Sequence, residues 1–285
     1  MWWKIALLVI VGLAVVITVA ILYGAKHWQS DTRELNAELA AALLPIAPKK
    51  YDPHELDGLP ATVQRYFRTV LREGQPLVQA VSVEQEGTFN MNQSAEKWRS
   101  FTASQRVITK RPGFVWDARI AMLPGVSVCV HDAYVAGEGI LHAALFGLIS
   151  LAEMRGTPDV AQGELMRFFA EAAWYPTALL PSQGVHWEEG DDTSAKATLK
   201  DGETTITLLF RFDERGLIES MRAEARGRAV GGTVIPTPWE GRWSHYEVRD
   251  GMRIPLHGEV VWMLPEGPKP YWRGRINKLT YDFVR

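Results

Sequence analysis

Most of the chain after residue 78 alternates apolar and polar positions with a period of two. Val81, Val83 and Phe89, for example, alternate with Ser82 and Glu84. Successive side chains of a strand point to opposite faces, so this period is typical of strands with one covered face. It predicts about ten strands, over residues 79–89, 101–107, 114–122, 126–136, 195–199, 206–212, 217–228, 239–249, 253–264 and 271–283.

Short turns join these predicted strands. Asp201-Gly202 and Asp250-Gly251 are strong hairpin signals, because the tight turns of hairpins need residues that accept positive φ angles. Strands joined in this way pair antiparallel, since parallel neighbours need long crossover connections. The sequence therefore predicts a mainly β (α+β) fold built on one antiparallel sheet.

Three segments outside the N-terminal region depart from this rhythm. Residues 59–74 and 164–174 have a helical period, and the second segment places its polar side chains on a narrow stripe opposite its apolar face, at Glu164, Arg167 and Glu171. Residues 139–154 have few polar interruptions and are too short to cross a membrane comfortably. We interpret this third segment as a buried helix; a lid over an apolar cavity and an interfacial element are the alternatives.

These elements predict a curved antiparallel sheet, or half-barrel, with the helices 59–74, 139–154 and 164–174 in its concavity. The predicted division has a transmembrane anchor at 1–25, a juxtamembrane helix and linker at 26–58, and an exported β domain at 59–285. A helical repeat at 26–44, ended by two prolines, marks the juxtamembrane helix.

The N-terminal region carries the membrane prediction. Residues 5–23 contain no charge and reach ~28 Å as a helix, enough to cross a bilayer core. Lys4 favours a cytoplasmic N-terminus, which places the single-pass protein in the cytoplasmic (inner) membrane with its C-terminal domain on the periplasmic, extracytoplasmic side. A cleaved signal peptide is the alternative, with a site at Thr18-Val19-Ala20, but the apolar run is long for one.

Composition narrows the function. The net charge of −2 argues against a nucleic-acid partner, which usually demands a concentrated basic surface. Cys129 is the only cysteine, so no intrachain disulfide forms. Phosphate-loop, nucleophile-elbow and paired-histidine motifs are missing, so we expect no metal and no cofactor. The 11 tryptophans suit sheet cores, membrane interfaces and ligand cavities alike.

The candidate binding residues come from the predicted fourth strand, the two helical segments and the aromatic strands. Asp132 and Tyr134 continue an apolar stripe of that strand, while His131 points to the other face. An ordinary role for Asp132, as a carboxylate in solvent, stays open. We predict these ligand-binding residues: Trp116, Asp132, Tyr134, Leu145, Leu148, Phe168, Glu171, Trp174, Tyr175 and Trp243.

A catalytic site has one candidate set, in which Asp132, Glu171 and His245 converge from separate elements as acid and base. Each has an ordinary alternative, such as an ion pair between Glu171 and Arg167. No catalytic residue is therefore assigned.

Several sequence blocks resemble a family of uncharacterised bacterial proteins with one membrane anchor. They are LPATVQRYFRTVLREGQP, GFVWDARI, HDAYVAGEG, ELMRFFAEAAWYPTALLPS and PTPWEGRW. The layout is also similar to the lipoprotein-carrier half-barrels of the LolA and LolB type, a likeness of topology rather than of motif. That likeness implies a curved sheet with helices in its hollow that binds acyl chains.

Three functions follow as hypotheses. The first is an anchored, exported binding module for a lipid, a lipoprotein acyl chain or another hydrophobic ligand. The second is an envelope assembly or scaffold protein with a solid core, whose partner is an envelope protein. The third is a hydrolase of envelope material, which requires Asp132, Glu171 and His245 to meet in one cleft.

Overall fold

An antiparallel sheet of 13 strands forms the body of the protein in the computed structural model, which describes residues 2–92 and 96–284. The strands are β1 Val78–Asn90, β2 Trp98–Ile108, β3 Gly113–Leu123, β4 Val126–Val135, β5 Glu138–Leu145, β6 Ile149–Arg155, β7 His186–Glu189, β8 Ser194–Asp201, β9 Thr204–Phe212, β10 Ile218–Val230, β11 Thr233–Arg249, β12 Met252–Leu264 and β13 Gly267–Phe283. Their spatial order is β6-β5-β4-β3-β2-β1-β13-β12-β11-β10-β9-β8-β7, so consecutive strands are neighbours in space except for β6 and β7, and the two halves of the sheet join where β13 pairs with β1. The sheet is open, with β6 and β7 at its two edges.

A hydrogen bond between distant strands shows how strongly the sheet curves. The hydroxyl of Tyr134 in β4 donates to the carboxylate of Asp201 at the end of β8, at 2.9 Å. In a flat sheet these strands would be ~40 Å apart, because adjacent strands are spaced by ~4.8 Å. The sheet therefore bends until its two halves face one another.

Two helices occupy the inner face. The helix α2, Ala61–Val70, buries Val63, Tyr66 and Phe67. The ring of Tyr66 packs on Phe212, and the ring of Phe67 packs on Trp187. The helix α3, Pro158–Glu171, is capped by the Thr157 side chain and contacts β3, β4 and β5 on one half and β9 and β10 on the other. Three short 3₁₀ turns follow it, at Ala172–Trp174, Pro176–Leu179 and Pro181–Gln183.

The first helix, α1, runs without a break from Trp2 to Ala41. It is the described helix long and apolar enough to span a membrane, and its apolar first half is exposed. Its second half packs on the outer face of the sheet, where Leu35 and Leu39 join a cluster with Val115 and Ala133. The predicted juxtamembrane helix is thus continuous with the apolar segment and lies on the sheet; the predicted domain boundaries themselves stay predictions.

The main features of the predicted fold are confirmed. The chain is mainly β and antiparallel, β1 to β4 form the expected meander, and hairpins turn at Asp201-Gly202 and Asp250-Gly251. The second turn has positive φ at both residues, as its sequence requires. The predicted strand number of about ten is too low, because β5, β6 and the short β7 were not predicted.

The buried helix predicted at 139–154 is wrong. This segment forms the hairpin of β5 and β6, with Phe146 and Gly147 both at positive φ in its turn. Its lack of alternation has a physical cause: β5 is covered on both faces, with Leu141 and Ala143 facing inward and Ala144 packed outward against Trp28 of α1. A strand covered on both sides is apolar throughout, as a buried helix is.

Candidate functional site

A cleft of about 570 Å³ lies on the inner face between α3 and the two facing halves of the sheet. Most of its wall is apolar. One side is formed by β3 to β6, with Ile120, Met122, Val128, Val130, Leu141, Ala143, Leu151 and Met154. The other side is formed by β10 to β13, with Met221, Trp239, Trp243, Val260, Trp262, Tyr271 and Trp272.

Glycines in the sheet make room for two of the tryptophans. A Cβ atom on Gly258 would lie 2.4 Å from the ring of Trp243, and one on Gly274 would lie 2.4 Å from the ring of Trp272. Both distances are shorter than van der Waals contact, so a side chain at either glycine would displace the ring that lies against its backbone.

Arg167 of α3 is the centre of a buried charged cluster that lines the same cleft. Its guanidinium binds the carboxylate of Asp132 in β4 and, at 2.8 Å, that of Glu171 one turn further along α3. The guanidinium also lies 4.9 Å from the ring centroid of Phe114 and 4.7 Å from that of Trp116. Burial alone would lower the pKa of Arg167, but the nearby carboxylates hold it above its ordinary value, so Arg167 is charged.

A chain of side-chain hydrogen bonds fixes the second oxygen of Glu171. The amide of Gln105 donates to it at 2.6 Å, Gln85 donates to Gln105 at 3.3 Å, and the indole of Trp116 donates to Gln85 at 3.0 Å. These groups come from β1, β2 and β3 and are buried. Glu171 is therefore held in one position by both α3 and the sheet.

Glu164 and Arg226 form the second part of the cluster. They pair at 3.3 Å, and Arg226 lies 4.6 Å from the ring centroid of Trp239. Burial raises the pKa of Glu164 well above its usual value, and the negative charge of Asp132 raises it further. One oxygen of Glu164 and one of Asp132 have no hydrogen-bond partner among the described residues as long as both carry charge. A proton held by Glu164 and shared with Asp132 relieves both.

With Glu164 protonated, the charges of Arg167 and Arg226 balance those of Asp132 and Glu171. The cluster therefore offers hydrogen-bonding groups without a net charge. A further donor lies nearby, because the indole N–H of Trp243 has no acceptor within the described part of the chain. The cleft thus joins an apolar wall to a neutral polar region.

The structure distributes the ten predicted binding residues over several places. Trp116, Asp132, Glu171 and Trp243 line the cleft. The other six do not line it: Tyr134 binds Asp201, Leu145 and Leu148 flank the β5–β6 turn, the Tyr175 hydroxyl donates to the carbonyl of Phe168, and Trp174 packs on Trp243.

Glu164, Arg167 and Arg226 were missed as site residues. Two of them, Glu164 and Arg167, could have been found from the polar stripe of α3. They and Glu171 are spaced three and four residues apart, so their side chains lie on the same face of the helix. The ion pair expected between Glu171 and Arg167 is confirmed. That Arg167 also reaches Asp132 depends on the tertiary fold.

The candidate catalytic set does not assemble. Asp132 and Glu171 share Arg167, whereas His245 is exposed, has a positive φ and stacks on His257 with 4.0 Å between ring centroids. His245 is not part of the cleft wall. Among the described residues, no group of three His, Cys, Asp or Glu side chains is placed to hold a metal ion.

Comparison with known proteins places the chain as follows. A model of a family of unknown function, DUF6920, matches residues 57–281. No curated protein sequence matches. The chain is similar to the LolA superfamily protein NE2245 from Nitrosomonas europaea, with 14% identity, a TM-score of 0.34, and coverage of 79% of this chain and 96% of that one.

A second solved structure, the β-barrel-like DUF1849 protein from Brucella abortus, is 10% identical with a TM-score of 0.21, over 72% of this chain and 98% of that one. These likenesses are distant, and they carry no argument about a ligand.

Proposed function

We propose that this chain, which belongs to the DUF6920 family, is a membrane-anchored binding module whose cleft takes an amphiphilic ligand, a lipid or an acyl chain with a polar end. The observation that carries the proposal is the cleft of about 570 Å³, whose wall is apolar and whose deep end is polar. Pockets for small ligands usually have volumes of ~300–1,000 Å³ and mostly apolar walls with a few placed polar groups.

The charged cluster supports a ligand with a polar end. Burying four charges is costly, and ion pairs of this kind rarely stabilise a fold better than apolar residues would. The partners of Arg167 nevertheless come from both α3 and the sheet, and they face the cleft rather than a packed interior. A ligand hydroxyl, amide or ester would find both donors and acceptors there.

The balance of charge in the cluster narrows the class of ligand. Because protonated Glu164 leaves two positive and two negative side chains, the deep end favours a neutral or zwitterionic polar group over a lone ion. The apolar wall next to it then takes the hydrocarbon part.

The first half of α1 supports the membrane anchor in this proposal. It is exposed and apolar over a length that can span a bilayer. We place the domain on the extracytoplasmic side of the cytoplasmic membrane because Lys4 precedes the apolar run and favours a cytoplasmic N-terminus. A cysteine-accessibility test on an exposed position of the domain in intact cells checks this side.

Filling the cleft tests the binding proposal. Ala143 lines the cleft, so Ala143→Phe should occupy part of it, whereas Ala121 is exposed and outside the cleft wall, so Ala121→Phe is a matched control. We expect Ala143→Phe to weaken uptake of a fluorescent polyene fatty alcohol by the full chain about tenfold or more, and Ala121→Phe to leave it unchanged. Equal uptake by both variants would refute the assignment of the cleft as the binding site.

A further inference from the structure

The direction of α1 along the outer face relates the cleft to the membrane. Leu39 lies beside Gly113 at the start of β3, Trp28 lies over the middle of the strands against Cys129, and Gly24 touches Phe146 and Leu148 in the β5–β6 turn. The helix therefore runs parallel to the strands, toward the end of the sheet at which β5 turns into β6. Residues 2–23 continue past that end.

Two turns lie along this same rim of the sheet. Because strand directions alternate across the antiparallel order, the turns at 124–125 and 146–148, which join β3 to β4 and β5 to β6, lie at the same end of these four neighbouring strands. We call this end the turn rim. It carries apolar side chains that are largely exposed, among them Leu123 at 65% and Ile149 at 60%.

Exposed apolar residues that occur singly are ordinary, but a contiguous set marks a surface that contacts something. Leu123, Leu148 and Ile149 form such a set, because they come from two neighbouring hairpins, and the exposed Leu151 extends it along β6.

The cleft opens at the turn rim. The cleft wall reaches Met91, Met122 and Leu151, which lie at or near the ends of β1, β3 and β6 on this side of the sheet. Met91 and Leu151 are exposed. At the other end of the cleft, the α3 residues Glu164 and Glu171 are buried. The mouth is therefore the rim from which residues 2–23 project.

We propose that the turn rim contacts the surface of the bilayer that α1 spans, so that the cleft takes its ligand directly from that bilayer. This proposal rests on the membrane anchor of the proposed function. The commitment to a lipid surface follows from α1: Gly24 is fixed against Phe146 and Leu148, and the apolar helix before it is ~33 Å long. A bilayer that takes up this helix brings its surface to the rim.

The polarity of the cleft matches the orientation of a lipid in the adjoining leaflet. Its polar cluster around Arg167 is farthest from the bilayer, and its apolar wall is nearest. A lipid that rises head group first keeps its hydrocarbon against apolar surface and brings its polar end to the cluster. No inversion of the molecule is needed.

Site-specific probes in vesicles test the contact. In a Cys129→Ala background, the full chain is labelled with an environment-sensitive fluorophore at Leu123→Cys or Ile149→Cys on the rim, and at Glu214→Cys in the exposed turn at the opposite end. A label at Val9→Cys reports insertion of α1. In phosphatidylcholine vesicles that contain chain-quenching lipids, we expect strong quenching at Val9, Leu123 and Ile149 and none at Glu214.

Rim labels that stay as unquenched as the Glu214 label, while the Val9 label is quenched, would overturn the proposal and assign the exposed apolar residues to a protein contact. Uptake of the polyene fatty alcohol by the same samples separates the two proposals. Quenched rim labels without uptake would uphold the contact and defeat the ligand site, and uptake with unquenched rim labels would do the reverse.

A charged rim gives a second readout. The double variant Leu123→Asp and Ile149→Asp, at two exposed positions outside the cleft wall, should slow transfer of a fluorescent lipid from vesicles about tenfold, while uptake of the free fatty alcohol changes little. Unchanged transfer would contradict direct loading from the bilayer.

Discussion

Two helices pack against the same strands, β3 to β5, from opposite sides, and each meets them with a polar cluster. On the inner face α3 places the charged Arg167 against Asp132. On the outer face α1 places Trp28 and Thr32 against Asp117 and His131. Both contacts join a helix to the same strands, but the inner one is an ion pair and the outer one consists of hydrogen bonds and a stacked ring.

The outer cluster is small and contains one charged group. The Trp28 indole donates to Asp117 at 2.9 Å and stacks on His131 with 3.9 Å between ring centroids, and the Thr32 hydroxyl lies 2.7 Å from the His131 ring nitrogen. Burial lowers the pKa of His131 to about 4, against the opposing effect of Asp117, so the ring is neutral near pH 7. Such a contact attaches a helix to a sheet at low electrostatic cost.

The inner cluster buries two guanidinium groups and three carboxyl groups, which is more than attachment of α3 requires. Its helix already buries Leu165, Phe168 and Phe169 in the core. The comparison teaches that the inner face carries more buried charge than its packing requires, and that this charge faces the cleft, whereas the outer contact holds α1 with little charge.

The largest expected effect comes from breaking the inner cluster at its centre. Arg167→Met leaves Asp132 and Glu171 buried without their cation, and loss of one partner of a buried ion pair costs about 3–5 kcal/mol. The measurement is the free energy of unfolding of the full chain in detergent from urea titration.

The surface pair of Arg155 and Glu138 supplies the control for this change. Both side chains are about half exposed, so Arg155→Met should cost less than about 1 kcal/mol. If Arg167→Met were no more destabilising than Arg155→Met, the inner cluster would not differ from a surface ion pair in the way described.

A smaller and more local effect is expected on the outer face. Trp28→Ala removes the ring that covers His131 and Cys129, and truncation of a buried tryptophan costs about 3 kcal/mol. This loss should release the second half of α1 while the sheet stays folded. Hydrogen exchange should therefore increase across residues 26–41, with the amides of β12 and β13 unchanged.

The matched control for that variant is Trp3→Ala, which lies in the exposed first half of the same helix. It should leave exchange at 26–41 as it is. If Trp28→Ala increased hydrogen exchange across the whole sheet, the outer contact would support the fold as a whole, and the contrast between the two faces would be lost.

The smallest expected effect is a change with pH in the free energy of unfolding, caused by Glu164 of the inner cluster. Burial raises the folded-state pKa of Glu164 above its unfolded value near 4.5. The group therefore contributes stability that is fully present below the unfolded pKa and is lost as pH rises through the folded pKa. Glu164→Gln cannot ionise, so it should be as stable as the wild type at about pH 4 and more stable at about pH 9.

Urea titrations at several pH values measure this difference, with Glu214→Gln in an exposed turn as the control. A stability gap that does not widen with pH would mean that Glu164 is ionised in the folded protein, and the cluster would then carry a net negative charge rather than none.

Much of the sheet could be predicted because most strands have one buried face and one face exposed to solvent. The alternation of Ile206, Leu208 and Phe210 with mostly polar neighbours is sufficient to identify β9. Asp250-Gly251 likewise identifies the tight turn between β11 and β12. The β5–β6 hairpin could not be found in this way, because α1 and the cleft cover both faces of β5. Its turn is also hidden, since Phe146 occupies a left-handed conformation that a bulky residue rarely adopts.

The candidate site was predictable in part. Asp132 stood out as a carboxylate in an apolar stripe, and Glu171 as the partner of Arg167. Arg226 could not be joined to them, because β10 approaches α3 only after the sheet has curved through most of its strands. Proximity of this kind depends on curvature, which the period of a strand does not encode.

The continuity of α1 also has a mechanical consequence. One helix extends from Trp2 to Ala41, and its second half is packed on the sheet. The β body is therefore joined to the first half by continuous helix, without a flexible linker between them. Under the proposed function, this rigid connection would keep the cleft beside the bilayer, and a bound ligand would pass to a recipient only there.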